Sequence, residues 1–178
     1  MRRRDLLPLG AALLLAGCGF ELRKAPDFAF SSIVINAPDS SPLAAELRRQ
    51  LQADGKVQVV APGSPAAAAA VGAASAPAAP PGEVVFELLQ EQREKVVVGL
   101  NSTGQVTEFQ LRSRVHFRVR NARGTELIPD TELEQHRDIT FNESAVLAKE
   151  AEEGLLYRDM QRDMVQQLMR RLAALRIV

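Results

Sequence analysis

Apolar and charged side chains alternate with a period of two between positions 109 and 120. The odd positions are mainly apolar: Phe109, Leu111, Ser113, Val115, Phe117 and Val119. The even positions from 112 onward form a basic row: Arg112, Arg114, His116, Arg118 and Arg120. Because successive side chains of a β-strand point to opposite faces, this pattern predicts a strand with one face on a core and the other in water.

The segment that follows alternates in the same way and predicts the partner strand of a hairpin. Gly124 suits a turn at positions 121–124, and later odd positions are again apolar: Leu127, Leu133, Ile139 and Phe141. The even positions form an acidic row: Glu126, Asp130, Glu132, Glu134 and Asp138. A three-residue hairpin loop pairs the rows as Arg120 with Glu126, His116 with Asp130, Arg114 with Glu132, and Arg112 with Glu134. Arg118 then faces Ile128 and has no carboxylate partner.

Two explanations of the basic row remain open. Each cross-strand ion pair contributes about 0.2–1 kcal/mol, so paired and solvated charges explain the row without a ligand. A phosphate-binding surface is the alternative, and Arg118 is then its unpaired cation. Pro129 indicates that its strand is a sheet edge or carries a bulge, because proline cannot donate a ladder hydrogen bond.

The rest of the chain predicts three further strands and two helices. The strands lie at 31–36, 57–60 and 83–100, the last of them followed by a turn at 101–104. The first helix begins at Pro42, with Ser41 as its N-cap, and ends before Gly55. Because this helix joins two short strands, we expect a right-handed parallel crossover.

A second helical pattern runs from Asn142 nearly to the end of the chain. Its apolar stripe consists of Leu147, Ala151, Leu156, Met160, Met164, Leu168, Leu172 and Leu175. Gly154 costs about 1 kcal/mol relative to alanine, which leaves a kink or a separate first turn open. Together the elements predict an α+β fold. It is a two-layer sandwich in which two helices cover one face of a small mixed sheet of four to five strands, mostly an antiparallel meander.

The first 17 residues have the features of a lipoprotein signal peptide. They contain, in order, three arginines, an apolar run at 6–17 that ends in Leu-Ala-Gly, and then Cys18. The run is shorter than the roughly 20 residues that a membrane span needs. The motif resembles a bacterial lipobox, which makes Cys18 the predicted site of lipid attachment. No aspartate follows Cys18, so we expect the periplasmic side of the outer membrane.

The predicted mature chain, 18–178, is long enough for one domain with a core. The segment 61–82 is almost entirely alanine, proline, glycine and serine. Such a composition buries too little apolar surface to offset the entropy of ordering, so we interpret it as a mobile loop within this domain.

Composition argues against several function classes. The formal net charge is zero and there is no tryptophan, whereas nucleic-acid binding relies on a basic surplus and aromatic stacking. Cys18 is the single cysteine, which excludes an internal disulfide. His116 and His136 lie between charged neighbours, and no catalytic or phosphate-loop motif is present. The sequence therefore predicts a protein that is not an enzyme and needs no cofactor or metal.

Three stretches together carry a family resemblance. They are the predicted mature start at 18–23, the hairpin residues 127–129, and residues 146–150, which lead into the last helix. In this order, and after a lipobox, they resemble the LptE family of lipopolysaccharide-assembly lipoproteins. The resemblance implies a non-enzymatic subunit of the lipopolysaccharide translocon. Such a subunit plugs the outer-membrane β-barrel LptD, assists its assembly and binds lipopolysaccharide.

The resemblance also implies site residues. Lys149 occupies the position of a family lysine that takes part in lipopolysaccharide binding. A second basic position of the family, near the tip of the first long hairpin, has no match at 100–104, and Arg118 is the candidate replacement. The alternative function is that of a generic outer-membrane structural lipoprotein that binds peptidoglycan or another envelope complex.

Overall fold

The computed structural model describes residues 27–60 and 83–176. The predicted signal peptide, Cys18 and the segment 61–82 lie outside these residues. Five strands and two helices are seen within them. In chain order they are β1 (Ser32–Asn36), α1 (Pro42–Asp54), β2 (Gln58–Val60), β3 (Glu83–Leu100), β4 (Val106–Asn121), β5 (Glu126–Thr140) and α2 (Val146–Ala173).

The strands form one mixed sheet in the order β2-β1-β3-β4-β5. β1 is parallel to both of its neighbours, so α1 is the connection of the predicted parallel crossover. β3, β4 and β5 form an antiparallel meander. The predicted α+β fold is thus confirmed.

Local signals set the bounds of both helices. The Ser41 side chain accepts a hydrogen bond from the Ala44 amide at 3.0 Å, and Gly55 ends α1 in the left-handed conformation (φ 68°). Asn142 caps a short 3-10 turn at Glu143–Ala145, and α2 begins directly after it. α2 then runs through Gly154 without interruption.

Both helices pack on the same side of the sheet, which we call the helix face. The main buried cluster joins the α1 leucines and the α2 residues Met164 and Leu168 to Phe86 and Val115 of the sheet. Leu147 does not belong to this core, because 83% of its surface is exposed. Its predicted place in the apolar stripe is therefore wrong. The opposite, outer face carries the basic and acidic rows, together with a small buried cluster around Val34 and Val85.

The predicted hairpin register holds at the turn and fails further along. Arg120 does pair with Glu126, but β5 then accommodates two extra residues around Pro129, so that His116 lies opposite Glu132. Because the shift is an even number, the charged rows stay on one face. β5 is also an edge strand, so Pro129 marks both an edge and a bulge.

A second bulge changes which side chains of β3 face the helices. Before it Phe86 and Leu88 point into the core, and after it Arg93 and Lys95 lie on the helix face, opposite Ser113 and Leu111 of β4. Leu89 is the extra residue of the bulge and has no partner in β4, so the alternation of faces along β3 is reversed after it.

Among the described residues, no helix is both long and apolar enough to cross a membrane.

Candidate functional site

A small cavity lies where the start of α2 crosses the far end of the sheet, near the turn between β3 and β4. Its volume is about 70 Å³. Apolar side chains from β4, β5 and the segment after β5 line it, and two lysines stand at its rim. Its lining consists of two lysines, two carboxylates, one threonine and four apolar residues: Lys95, Lys149, Glu150, Glu153, Thr140, Phe109, Ile139, Phe141 and Val146.

Lys149 is held at this rim by polar contacts. Its amino group donates a hydrogen bond to the Thr140 hydroxyl at 3.1 Å and pairs with Glu152 at 2.9 Å. Only 23% of the Lys149 side chain is exposed. The family-matched lysine is thus partly buried and fixed on a helix, beside a surface that an apolar group can contact.

Lys95 brings a second positive charge to the same cavity. Its amino group is 2.6 Å from Glu153 and 4.4 Å from the centroid of the Phe109 ring. Phe109 in turn packs edge-on against Phe141, with ring centroids 5.4 Å apart. Two ammonium groups beside an aromatic surface can hold a phosphate on an apolar molecule, because charge-assisted hydrogen bonds to phosphate are strong.

The sequence interpretation did not identify Lys95. A signal was available, since Gln90, Gln92 and Glu94 break the alternation of β3, and a bulge there puts Lys95 on the helix face. Even with the bulge known, the sequence does not show that the start of α2 lies beside Lys95.

Arg118 does not join this site. It lies on the outer face, where its Nε donates to a carboxylate oxygen of Glu87, and Arg120 donates to both oxygens of the same group at 2.5 and 2.6 Å. The expectation that Arg118 lacks a carboxylate partner is therefore wrong. Lys149 and Arg118 belong to opposite sides of the sheet.

Glu87 is the buried centre of this cluster, with 10% of its side chain exposed. Burial acts to raise the pKa of Glu87, but the hydrogen bonds and charges of Arg120 and Arg118 outweigh it and hold the pKa below its ordinary value. The carboxylate is therefore charged at neutral pH and neutralises part of the basic row.

The rest of the outer face is a network of exposed ion pairs. Arg114 contacts Glu132 at 2.7 Å and Glu134 at 3.2 Å, and hydrogen bonding to Glu134 raises its pKa. His116 lies 3.3 Å from Asp130. The Arg114–Glu132 and His116–Asp130 contacts are diagonal, and they join two of the predicted pairs despite the register shift. The paired-charge explanation of the basic row is thus supported for Arg114, His116, Arg118 and Arg120.

The two histidines lie apart from each other on the sheet. His116 and His136 share the outer face, opposite Glu132 and Arg112 respectively. Within residues 27–60 and 83–176, no group of three or more potential ligands is arranged to hold a metal ion.

A larger cavity of about 400 Å³ lies between the start of α1 and the bulge in β3. Here the Ser41 hydroxyl donates to Glu91 at 2.5 Å, so a carboxylate already occupies the positive end of α1. Such a site disfavours a second anion. The lysine-rimmed cavity is also lined by carboxylates, Glu150 and Glu153, but there the amino groups of Lys95 and Lys149 stand beside them.

Comparison with known proteins assigns the chain to a family. Residues 30–172 match the family model described as LptE: Lipopolysaccharide-assembly. The chain belongs to the LptE family. A solved relative, an uncharacterized lipoprotein B from Nitrosomonas europaea, is 31% identical, with 88% of this chain and 91% of that chain covered and a TM-score of 0.67.

Two further structures share the LptE fold at lower identity. Rare lipoprotein B from Shewanella oneidensis is 23% identical, covers 81% of this chain and 95% of its own, and has a TM-score of 0.63. A minor lipoprotein from Acinetobacter baumannii is 19% identical, with coverages of 83% and 94% and a TM-score of 0.58. A comparison with curated protein sequences gives no match. The resemblance identified from the sequence is confirmed, and the chain is a lipopolysaccharide-assembly family member.

Proposed function

We propose that this LptE protein is a non-enzymatic subunit of the outer-membrane lipopolysaccharide translocon, which binds lipopolysaccharide and plugs the barrel of LptD. Acylated Cys18 anchors it to the periplasmic side of the outer membrane. The observation that carries the proposal is the placement of Lys95 and Lys149 around one aromatic-lined cavity. A phosphorylated lipid needs such a combination of cations and apolar surface.

The outer face supports the plug role. Both helices lie on the other side of the sheet, which leaves the ion-paired face of β4 and β5 accessible along most of its length. The lumen of a large outer-membrane barrel is polar, so a surface of paired arginines and carboxylates suits it better than an apolar one.

The lipopolysaccharide site is tested with Lys149→Glu and Lys149→Gln in a pull-down with purified lipopolysaccharide. Losing a charge-assisted hydrogen bond to phosphate costs about 1.5–3 kcal/mol, so we expect retention to fall at least tenfold. Arg162→Glu is the matched control, because Arg162 also forms an i,i+3 ion pair on α2 but lies outside the cavity. Unchanged binding by both Lys149 variants, with native circular dichroism, would remove Lys149 from the site.

The partner is tested by co-purification from membranes. We expect the LptE protein to be recovered with a heat-modifiable barrel protein of the LptD type. The alternative, a structural lipoprotein that binds peptidoglycan, predicts sedimentation with cell-wall sacculi instead. Recovery with sacculi and without a barrel would favour that alternative.

A further inference from the structure

A third cavity, which we call the uncharged cavity, lies at the turn between β3 and β4. Its volume is about 250 Å³, which is room for several water molecules at about 30 Å³ each. Its lining combines three side-chain amides, one hydroxyl and two apolar residues: Asn101, Gln105, Asn142, Thr107, Val106 and Phe141. None of these described residues carries a charge, so the cavity suits a neutral ligand that forms hydrogen bonds.

Backbone amides fix the orientation of the three side-chain amides, because a backbone N–H can only donate. The Asn142 Oδ1 accepts from the Ser144 amide at 3.0 Å, which leaves its NH₂ group as the free end. The Asn101 Oδ1 accepts from the Thr103 and Gln105 amides at 3.0 and 2.9 Å. Its Nδ2 therefore donates to the Gln105 Oε1, at 3.0 Å. The NH₂ groups of Gln105 and Asn142 are thus donors without an acceptor among the described residues.

The turn itself does not require the Gln105 side chain. The turn between β4 and β5 is built in the same way, with Asn121 accepting from two backbone amides at 3.0 and 2.9 Å. Each turn also contains a glycine in the left-handed region, at φ 82° and 84°. In the second turn Thr125 takes the place of Gln105 and serves the fold equally well. The amide of Gln105 is therefore a feature of the cavity and not of the turn.

The free groups of the cavity match the chemistry of a sugar ring. Such a ring carries neutral oxygens around its edge and C–H groups on its faces. The NH₂ groups of Gln105 and Asn142 can donate to those oxygens, and the Thr107 hydroxyl can both donate and accept. Phe141 adds an apolar ring to the same wall. Sugar hydroxyls can replace the waters of the cavity without loss of hydrogen bonds, whereas an apolar ligand would leave the amides unpaired.

The uncharged cavity adjoins the lysine-rimmed cavity. Phe141 lines both of them, and its backbone amide donates to the Thr107 carbonyl at 2.8 Å. The lysine-rimmed cavity carries two carboxylates as well as two lysines, whereas the uncharged cavity can recognise a ligand through hydrogen bonds alone. Lipopolysaccharide, the ligand of the proposed function, consists of sugar rings with phosphates and acyl chains attached to some of them.

We propose that the uncharged cavity of this LptE protein binds a sugar ring of lipopolysaccharide. Gln105 and Asn142 donate hydrogen bonds to oxygens of the ring, and Phe141 contacts one of its faces. The inference rests on the proposed function, which supplies the identity of the ligand, and it adds a site for the sugars that uses no charge.

The test uses lipopolysaccharide from which the acyl chains and phosphates have been removed, so that only its sugars remain as the probe. The probe is titrated into the isotope-labelled mature chain while the side-chain amide signals are followed by NMR. We expect the Gln105 and Asn142 signals to shift and the Asn121 signals to stay in place. Gln105→Met should weaken binding of the probe about threefold to tenfold, as expected for one uncharged hydrogen bond. Thr125→Met, at the equivalent position of the other turn, is the matched control and should leave binding unchanged.

The outcomes separate this inference from the proposed function. If Lys149→Glu lowers retention of intact lipopolysaccharide but the probe does not shift the Gln105 signals, the lysine site stands and the sugar site is refuted. If the probe binds through Gln105 while Lys149→Glu changes nothing, the lysine site fails and the sugar site stands.

Three other results would overturn the sugar site. The first is an equal loss of binding in Gln105→Met and Thr125→Met. The second is that glycan fragments of peptidoglycan bind as well as the probe, which would remove the assignment to lipopolysaccharide. The third is a shift of the Gln105 signals with a purified barrel protein and not with the probe, which would make the cavity a protein contact.

Discussion

Glu87 provides the sharpest test of how the outer face is held together. Its carboxylate accepts hydrogen bonds from Arg118 and Arg120, and it is largely buried. Glu87→Gln keeps the shape of the side chain but removes its charge. The two guanidinium groups then lose their anion, while each remains about one-third exposed.

The expected cost follows from these contacts. Three hydrogen bonds to a charged group are weakened, and each such bond contributes about 1.5–3 kcal/mol when intact. Removing one partner of a fully buried pair costs about 3–5 kcal/mol. Water reaches both arginines and screens part of this loss, and glutamine keeps one acceptor. We therefore expect the free energy of unfolding at pH 7 to fall by about 2–3 kcal/mol, which corresponds to a decrease in Tm of about 5–10 °C.

Urea denaturation followed by far-ultraviolet circular dichroism measures this change without a tryptophan signal. The matched control is Glu134→Gln, the same substitution at an exposed ion pair on the same sheet face. Exposed pairs contribute at most about 1 kcal/mol. If Glu87→Gln and Glu134→Gln were equally stable within 0.5 kcal/mol, the assignment of Glu87 as a buried charge centre would be refuted.

The stabilisation by Glu87 should depend on pH in a direction set by its pKa shift. The arginines hold the folded-state pKa of Glu87 below its ordinary value of 4.5. The stabilisation is therefore present above pH 4.5 and is lost as the pH falls through the lower, folded-state value. We expect the difference between wild type and Glu87→Gln to be largest at neutral pH and to shrink in acid. A difference that grows in acid would contradict the argument.

Two further substitutions test the core and a buried carboxyl. Burial raises the pKa of Glu83, whose two carboxyl oxygens have no hydrogen-bond partner among the described residues. The charged form of this carboxyl therefore destabilises the fold as the pH rises above 4.5. Glu83→Gln should therefore gain stability relative to wild type between pH 4 and pH 8 in urea titrations, and a constant difference would contradict this. Met164 is fully buried in the main cluster between the helices and the sheet. Met164→Ala should therefore lower the free energy of unfolding by about 2–5 kcal/mol. Leu155→Ala, at an exposed site of α2, should change it by no more than about 0.5 kcal/mol. Equal midpoints for the two alanine variants would refute the assignment of Met164 to the core.

Much of the fold was predictable because its signals are local. The period-two alternation of β4 and β5 assigned their faces correctly, and an even register shift left those faces unchanged. Ser41 and Gly55 set the ends of α1 through contacts within a few residues. Leu147 shows the limit of such reasoning, because helical spacing continued a stripe past the point where α2 leaves the core.

The candidate site was predictable only in part. Lys149 was identified from its position in a family motif, and the structure places it at a cavity rim. Lys95 comes from a strand more than 50 residues earlier, and its direction depends on the bulge at Leu89. Because the bulge at Leu89 reverses the faces of the residues that directly follow it, the sequence pattern alone assigned no face to Lys95.

The sequence by itself determined which segments are strands or helices, which faces of the hairpin are charged, and the family to which the chain belongs. These properties depend on periodicity, on caps and on short motifs, all of which act over a few residues. Only the tertiary structure decided that Arg118 pairs with Glu87 and that two lysines share one cavity. Those contacts join distant segments, and their geometry depends on bulges and on the path of α2 across the sheet.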